Sequence, residues 1–151
     1  MRKKLLFGLT AAVLLTGCGD EMEDTNTDSN QTISLNQDFR EAAVHDPSII
    51  YADDHYYVIG SHLAFAKSPD LMNWDQLATS VSTSELFEDV TVSLAESFNY
   101  ARTDTLWASD ITQLKDGKYY LYYGFCEGSS PLSTLGVAVS DSIEGPYEDK
   151  G

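Results

Sequence analysis

From residue 39 onward, apolar and polar positions alternate over short runs that are separated by turn residues. Such alternation is typical of β-strands with one buried face. A first hairpin is predicted over residues 48–60 with its turn at Asp53-Asp54, and a second over residues 111–124 with a tight turn at Asp116-Gly117. Residues 85–100 are an exception, because their apolar side chains are spaced to share one helical face. The chain is therefore predicted to be all-β apart from this stretch.

The two hairpins and the strands after them resemble each other, which indicates a repeated unit. Asp46 recurs as Asp110 and Gly60 recurs as Gly124, in both cases 64 residues later. Each unit would be a four-stranded antiparallel sheet, and sheets of this kind stack radially as the blades of a β-propeller. A β-sandwich, or chance similarity between two tyrosine-rich hairpins, stays open as an alternative on this pattern alone.

The N-terminus has the pattern of a bacterial lipoprotein signal. The basic start Arg2-Lys3-Lys4 precedes an apolar run over residues 5–15, which is too short for a permanent membrane span. Leu15-Thr16-Gly17-Cys18 follows at the cleavage position, so residues 1–17 are predicted to be a signal peptide and Cys18 to be lipidated. A plain secretory signal with a chance cysteine is the alternative. We expect a lipoprotein anchored in the membrane, at the cell surface or in the periplasm.

Residues 18–38 are rich in acidic and small polar side chains and contain few apolar ones. Such a segment buries too little surface to fold, so it is predicted to be a flexible, disordered tether before a domain over residues 39–151. The whole chain carries a formal net charge of −15, which repels phosphate backbones. Nucleic acid is therefore not an expected partner, whereas a neutral ligand meets no such repulsion. With Cys18 lipidated, Cys126 has no disulfide partner.

In the propeller arrangement, strand ends from both units meet at one rim. Asp46 begins the first strand, and the returning second strand brings His62 beside it. The same path through the second unit brings Trp107, Asp110 and residues 125–130 to this rim. Carboxylates and aromatic rings on a concave rim suit a sugar, which offers hydroxyl groups to acids and C–H faces to rings.

The backbone at the start of the first strand is restricted by Pro47. Proline disfavours the helical conformation of the residue before it, so Asp46 is predicted to be extended. Taken alone, the Asp46-Pro47-Ser48 run would indicate no more than a turn that opens a hairpin.

Several longer motifs occur in a fixed order from about residue 44 to the end of the chain. They include His45-Asp46-Pro47-Ser48-Ile49, Gly60-Ser61-His62, Leu106-Trp107-Ala108-Ser109-Asp110-Ile111 and Gly117-Lys118-Tyr119-Tyr120. In this order they resemble glycoside hydrolase family 43, and most closely its arabinan endo-1,5-α-L-arabinosidases. The family usually has proline where this chain has Ser109, which is a mild departure. The resemblance implies a five-bladed β-propeller, of which residues 39–151 would supply about the first two blades.

The resemblance also implies a function, an inverting hydrolysis of α-1,5-arabinan during plant polysaccharide degradation. Asp46 matches the family's general base. Contacts to arabinan or an arabino-oligosaccharide are expected from the rim, namely from His62, Trp107, Asp110, Phe125 and Ser129. The family's other two catalytic carboxylates lie in later blades and have no counterpart in this sequence, so we expect an incomplete N-terminal part that is inactive alone.

Two other acidic residues need separate treatment. Asp110 is expected to line or brace the site rather than to catalyse. Glu144 lies in Glu144-Gly145-Pro146-Tyr147 and is expected to be a solvated turn residue.

Two further functions stay open at this point. A non-catalytic surface lipoprotein could bind arabinan fragments by stacking them on Trp107 and Phe125, and an exo-acting arabinofuranosidase or xylosidase would differ by a closed pocket. No metal ligands are expected in residues 39–151, although the resemblance allows an axial ion such as calcium in the complete propeller.

Overall fold

A computed structural model describes residues 39–151 of the chain. Within this range, eight strands form two four-stranded antiparallel sheets with the orders β1-β2-β3-β4 and β5-β6-β7-β8. Sheet 1 contains β1 (Ser48–Ala52), β2 (His55–Ile59), β3 (Phe65–Ser68) and β4 (Asp75–Ala78). Sheet 2 contains β5 (Leu106–Gln113), β6 (Tyr119–Cys126), β7 (Ser133–Ser140) and β8 (Glu148–Asp149). The prediction of two similar antiparallel units is confirmed.

The turn residues explain the first hairpin. Asp53 and Asp54 have φ angles of 48° and 59°, and a two-residue turn with two positive φ angles matches the twist of antiparallel strands. This turn sets the register, so that Ile49 lies opposite Val58 and Ile50 lies opposite Tyr57. Ile50 and Tyr57 therefore face the core, while Ile49 is 57% exposed.

Two short α-helices lie between the sheets in sequence. They are α1 (Val90–Ser93) and α2 (Ala95–Ala101). The Asp89 side chain caps α1, because it accepts hydrogen bonds from the backbone amides of Thr91 and Val92. The stretch predicted to be helical, residues 85–100, is therefore helical only from Val90 onward. Leu86 and Phe87 precede the helix, but both are buried, as their place in the apolar pattern predicts.

A single hydrophobic core includes side chains from both sheets and from the connection between them. Its fully buried members include Ile59, Leu63, Leu94, Leu106 and Leu121. Burial of apolar surface of this kind is the main favourable contribution to folding. Within this core, β1 contacts β5 directly, so these two strands are held close together.

The outer faces of the sheets carry apolar side chains that the described residues leave uncovered. Tyr51 is 58% exposed beside Ile49 on sheet 1, and Leu135 is 80% exposed on sheet 2. No helix within residues 39–151 has the length and apolar character needed to cross a membrane. The predicted signal peptide, Cys18 and the acidic tether lie outside the described residues.

Candidate functional site

Asp46 lies immediately before β1, at the end of sheet 1 that faces sheet 2. Its φ angle is 51°, so the prediction of an extended backbone is wrong. Aspartate tolerates this left-handed region better than most residues, because its short polar side chain can form local hydrogen bonds. Backbone conformations of this kind are concentrated at functional sites, where the surrounding structure holds them in place.

The two carboxylate oxygens of Asp46 have different surroundings. Oδ2 accepts a hydrogen bond from the Ser61 hydroxyl at 2.8 Å and lies 2.8 Å from Nδ1 of His45. No hydrogen bond reaches Oδ1 from any other residue in the described part of the chain. The side chain is 44% exposed. Asp46 therefore has one oxygen held by the protein and a second one without a partner among the described residues, on a side chain that is partly exposed.

Gly60 and Ser61 pass close against the backbone of His45. A Cβ atom on Gly60 would lie 2.1 Å from the His45 carbonyl oxygen, so this position requires glycine. The Ser61 amide donates a hydrogen bond of 2.9 Å to the same carbonyl. The close approach places the Ser61 hydroxyl, which is fully buried, beside the Asp46 carboxylate.

Trp107 and His62 form an aromatic pair next to Asp46. Their ring centroids are 5.7 Å apart, with an angle of 46° between the planes. The Trp107 indole donates a hydrogen bond of 2.8 Å to the Cys126 carbonyl, which fixes the ring, and the residue stays 37% exposed. A fixed and partly exposed indole offers a flat face to the C–H groups of a sugar.

Asp110 lies on β5 beyond an irregularity in the strand. The register of β5 against β6 shifts between Trp107 and Asp110, and Ala108 has a φ angle of 37°. Bulges of this kind redirect side chains. The Ser48 hydroxyl of sheet 1 donates a hydrogen bond to Asp110, so this carboxylate joins the two sheets beside the site.

Phe125 does not lie at the site surface, which corrects the prediction that it contacts substrate. Its side chain is fully buried, and its ring centroid lies 4.5 Å from that of Phe98 and 5.9 Å from that of Tyr123. Side chains alternate between the two faces of a strand, so Phe125 shares the core face with Leu121 and Tyr123. This alternation was present in the sequence and could have placed Phe125 in the core.

Ser129 lies in the exposed loop between β6 and β7. Its hydroxyl donates a hydrogen bond of 3.2 Å to the carboxylate of Glu127. Neither side chain bonds to Asp46, His62 or Trp107 within residues 39–151. A role of Ser129 in substrate contact stays a prediction.

A cleft of about 660 Å³ opens beside His62 and extends along the connection between the two sheets. Its volume is within the usual range for ligand sites, about 300–1,000 Å³. The walls combine hydroxyl groups, carboxylates and a few apolar side chains, which include Ser82, Thr91, Thr105, Glu88, Asp104, Val90 and Phe98. The cleft is built from an irregular segment without a repeating pattern, so the sequence contains no signal that predicts it.

Glu144 is more than a solvated turn residue, which corrects that expectation. It accepts a hydrogen bond of 2.8 Å from the Lys67 ammonium and one of 3.0 Å from the Tyr57 hydroxyl, both in sheet 1. The bond from Lys67, followed by that from Tyr57, lowers the pKa of Glu144 despite partial burial. Burial, and next the bond to Glu144, raise the pKa of Tyr57. Glu144 therefore connects the sheets at a point remote in sequence from the Asp46 motif.

The described residues do not form a metal site. Within residues 39–151, no three side chains of His, Cys, Asp or Glu come close enough together to hold a metal ion. An axial ion of the kind that the resemblance allows would need ligands from other residues.

Comparison with known proteins shows the family. The model of "Glycosyl hydrolases family 43" matches residues 39–151. The extracellular endo-α-(1→5)-L-arabinanase 2 of Bacillus subtilis is 60% identical over 114 residues, which are 75% of this chain and 24% of that protein. The chain belongs to glycosyl hydrolase family 43.

Solved structures agree with this assignment. A family 43 glycoside hydrolase from Bacillus licheniformis superposes with a TM-score of 0.71 at 57% identity, over 76% of this chain and 26% of that one. A more distant α-L-arabinanase of Cellvibrio cellulosa, solved with arabinohexaose, superposes with a TM-score of 0.55 at 28% identity, over 74% of this chain and 35% of that one. The chain thus spans about a quarter of the length of the curated relative described above.

Proposed function

We propose that this chain carries the general base of a glycoside hydrolase that cleaves α-1,5-linked arabinan with inversion of configuration. The observation that supports this role most strongly is the asymmetry of the Asp46 carboxylate. Ser61 and His45 hold Oδ2, while Oδ1 has no partner among residues 39–151 and belongs to a partly exposed side chain. A carboxylate in this state can orient a water molecule and accept its proton during attack on the anomeric carbon.

The proposed mechanism also needs a surface that binds the sugar and a general acid. Trp107 offers a stacking face for an arabinose ring, and the cleft beside His62 has room for further sugar units. The general acid of an inverting glycosidase stands about 6.5–9.5 Å from the base, so that water fits between them. The resemblance places this acid in a later blade. Asp110 and Glu144 are poor candidates for the general acid, because each carboxylate already accepts a hydrogen bond from a side chain of sheet 1.

A five-bladed β-propeller is the proposed architecture of the protein that contains this segment. Two observations support it. Each sheet has the four antiparallel strands of a propeller blade, and the outer faces expose Ile49, Tyr51 and Leu135. Neighbouring blades would cover these apolar side chains.

We also propose that the protein is exported and held at the membrane by lipid on Cys18. The Leu15-Thr16-Gly17-Cys18 motif supports the anchor, and the Bacillus subtilis relative is described as extracellular. A Cys18→Ser variant should appear in the soluble fraction of a bacterial host. Retention of this variant in the membrane fraction would contradict the anchor.

An exo-acting enzyme is the alternative within the hydrolases, and it would differ by a closed pocket to which later blades would contribute. The non-catalytic sugar binder is the second candidate, and Trp107 favours it as much as it favours the enzyme. The two candidates differ in what Asp46 does, because a binder does not need a base.

An Asp46→Asn variant of the full-length protein, expressed from its own gene, separates these candidates. Arabinan hydrolysis should fall by about 10²-fold or more, because loss of a general base typically costs 10²–10⁴ in rate. Binding of arabino-oligosaccharides should persist, since the ring contacts are intact. Asp53→Asn is the matched control, because Asp53 also has a positive φ angle but lies at the far end of the same hairpin. Hydrolysis within a few-fold of the parent in Asp46→Asn would contradict the proposed role.

A further inference from the structure

The Asp46 carboxylate and the irregular part of β5 are connected through one hydroxyl group. Ser61 Oγ donates to Asp46 Oδ2 at 2.8 Å and accepts a hydrogen bond of 3.0 Å from the Ala108 amide. The first contact lies within the sheet 1 segment, and the second crosses to sheet 2. The hydroxyl thus uses both its donor and its acceptor capacity, and each partner limits where it can point.

The surroundings of Ser61 make this link rigid. The residue is fully buried, and its amide is bonded to the His45 carbonyl at 2.9 Å. The adjacent Gly60 packs so tightly on His45 that no side chain fits there. A buried hydroxyl with two satisfied partners has little freedom to move, and removal of such a group leaves its partners without their hydrogen bonds.

The link also reaches the substrate platform. Ala108 directly follows Trp107 and has a φ angle of 37°, a region that alanine rarely adopts without support. The bond from its amide to Ser61 supplies part of that support. The conformation at Ala108 in turn sets the direction of the neighbouring indole, which is bonded to the Cys126 carbonyl. One hydroxyl therefore fixes the geometry of the proposed base relative to the proposed sugar platform.

We propose that Ser61 is a positioning residue, which holds the Asp46 carboxylate in register with the Trp107 platform so that Oδ1 faces the reacting water. Ser61 is buried and does not contact substrate, so its effect passes through Asp46 and Ala108. This proposal rests on the proposed hydrolytic function. It adds to the site a residue, Ser61, that lies outside the Asp46-Pro47 motif.

The kinetic signature of this role is a loss of kcat with little change in KM. In a Ser61→Ala variant of the full-length protein, the Asp46 carboxylate loses a donor and gains rotational freedom. Misplacement of a reacting group by about 1 Å can cost about 10²-fold in rate, so we expect kcat on arabino-oligosaccharides to fall by about 10- to 100-fold. We expect KM to stay within about twofold, because the sugar contacts are unchanged.

Ser68→Ala is the matched control. Ser68, at the end of β3, is a fully buried serine like Ser61, but its hydroxyl donates a hydrogen bond of 3.1 Å to Asp70 rather than to Asp46. Its removal should leave kcat within about twofold of the parent. In the Asp46→Asn background, Ser61→Ala should cause no further loss, because residues that act as a unit are not additive.

Failure of this proposal is distinguishable from failure of the proposed function. If Asp46→Asn removes hydrolysis but Ser61→Ala leaves kcat within about twofold, the function stands and the role of Ser61 is overturned. A rise in KM with unchanged kcat in Ser61→Ala overturns it as well. If the parent protein does not hydrolyse arabinan, the proposed function itself fails.

Hydrogen exchange in the full-length protein tests the hydrogen bond between Ser61 and Ala108 without a catalytic assay. The Ala108 amide proton should exchange with solvent at least about tenfold faster in Ser61→Ala than in the parent or in Ser68→Ala, because it loses its acceptor. Equal exchange rates would overturn the link. Should Ser61→Ala fail to fold, Ser61→Cys keeps the volume with a weaker donor, and a kcat equal to that of the parent would overturn the proposal.

Discussion

At the scale of single residues, the proposed chemistry depends on how the Asp46 carboxylate is held. The motif around Asp46 identified the residue, but its left-handed backbone and its bond to Ser61 follow from the close passage of Gly60 against His45. That contact joins residues 15 positions apart and has no signature in the local pattern. The motif therefore indicates which residue is the candidate base, and the structure shows how its carboxylate is oriented.

Phe125 shows the opposite case. Its aromatic character suggested a sugar platform, whereas its position on the same strand face as Leu121 places it in the core. For β-strands, alternation predicts the location of a side chain better than its chemical type does.

The burial of Phe125 gives a testable expectation for stability. A Phe125→Ala variant should lose about 3–5 kcal/mol in the free energy of unfolding, because it leaves a cavity beside Phe98 and Tyr123. Tyr100→Ala, at a position that is 61% exposed, should change it by about 0.5 kcal/mol or less. Denaturant unfolding of the full-length protein measures both, and equal small losses would contradict the core position of Phe125.

At the scale of elements, the hairpins were predictable because turn chemistry and alternation agree. Asp53-Asp54 and Asp116-Gly117 both lie at tight turns, and the flanking strands pair as the predicted antiparallel hairpins. The connection between the sheets was harder to predict, because α1 and α2 contain only 4 and 7 residues and depend on the Asp89 cap and on packing against the core.

The contact between Glu144 and sheet 1 predicts how stability depends on pH. Its pKa in the folded state lies below the value of about 4.3 in an unfolded chain. The carboxylate therefore contributes to the free energy of unfolding above about pH 4.3, and this contribution is lost as the pH falls through the folded pKa. The carboxylate is 42% exposed, so solvent screening limits the contribution to about 0.5 kcal/mol.

Glu144→Gln should remove this contribution at pH 7 and have little effect at pH 3. Asp141→Asn, which breaks the highly exposed contact between Asp141 and Lys118, is the control for a surface ion pair and should change stability less. Thermal unfolding at both pH values measures the difference. A loss of stability in Glu144→Gln that is larger at pH 3 than at pH 7 would contradict the account.

At the scale of the whole molecule, the repeat indicated the architecture, since two sheets of the same topology follow each other along the chain. What the repeat did not show is the cleft beside His62, because the segment that forms it occurs between the first and second sheets and has no equivalent within residues 39–151.

The cleft should contribute to the binding of long substrates more than to that of short ones. Glu88 and Asp104 line it, and their carboxylates can accept hydrogen bonds from the hydroxyl groups of a sugar. A Glu88→Gln, Asp104→Asn double variant should raise KM for long arabino-oligosaccharides by about tenfold and leave the shortest substrates unchanged. Glu96→Gln, on α2 outside the cleft lining, is the control. An equal effect on all chain lengths would contradict a role of the cleft in binding distant sugar units.

In the proposed mechanism, Asp46 activates a water molecule for direct displacement at the anomeric carbon. The most direct test is ¹H NMR of the first product that the full-length protein releases from α-1,5-linked arabino-oligosaccharide, recorded before the sugar mutarotates. Direct attack by water inverts the anomeric centre, so we expect the β-anomer to be formed first. Initial formation of the α-anomer would require a covalent intermediate on a nucleophile, and would contradict the role of Asp46 as general base.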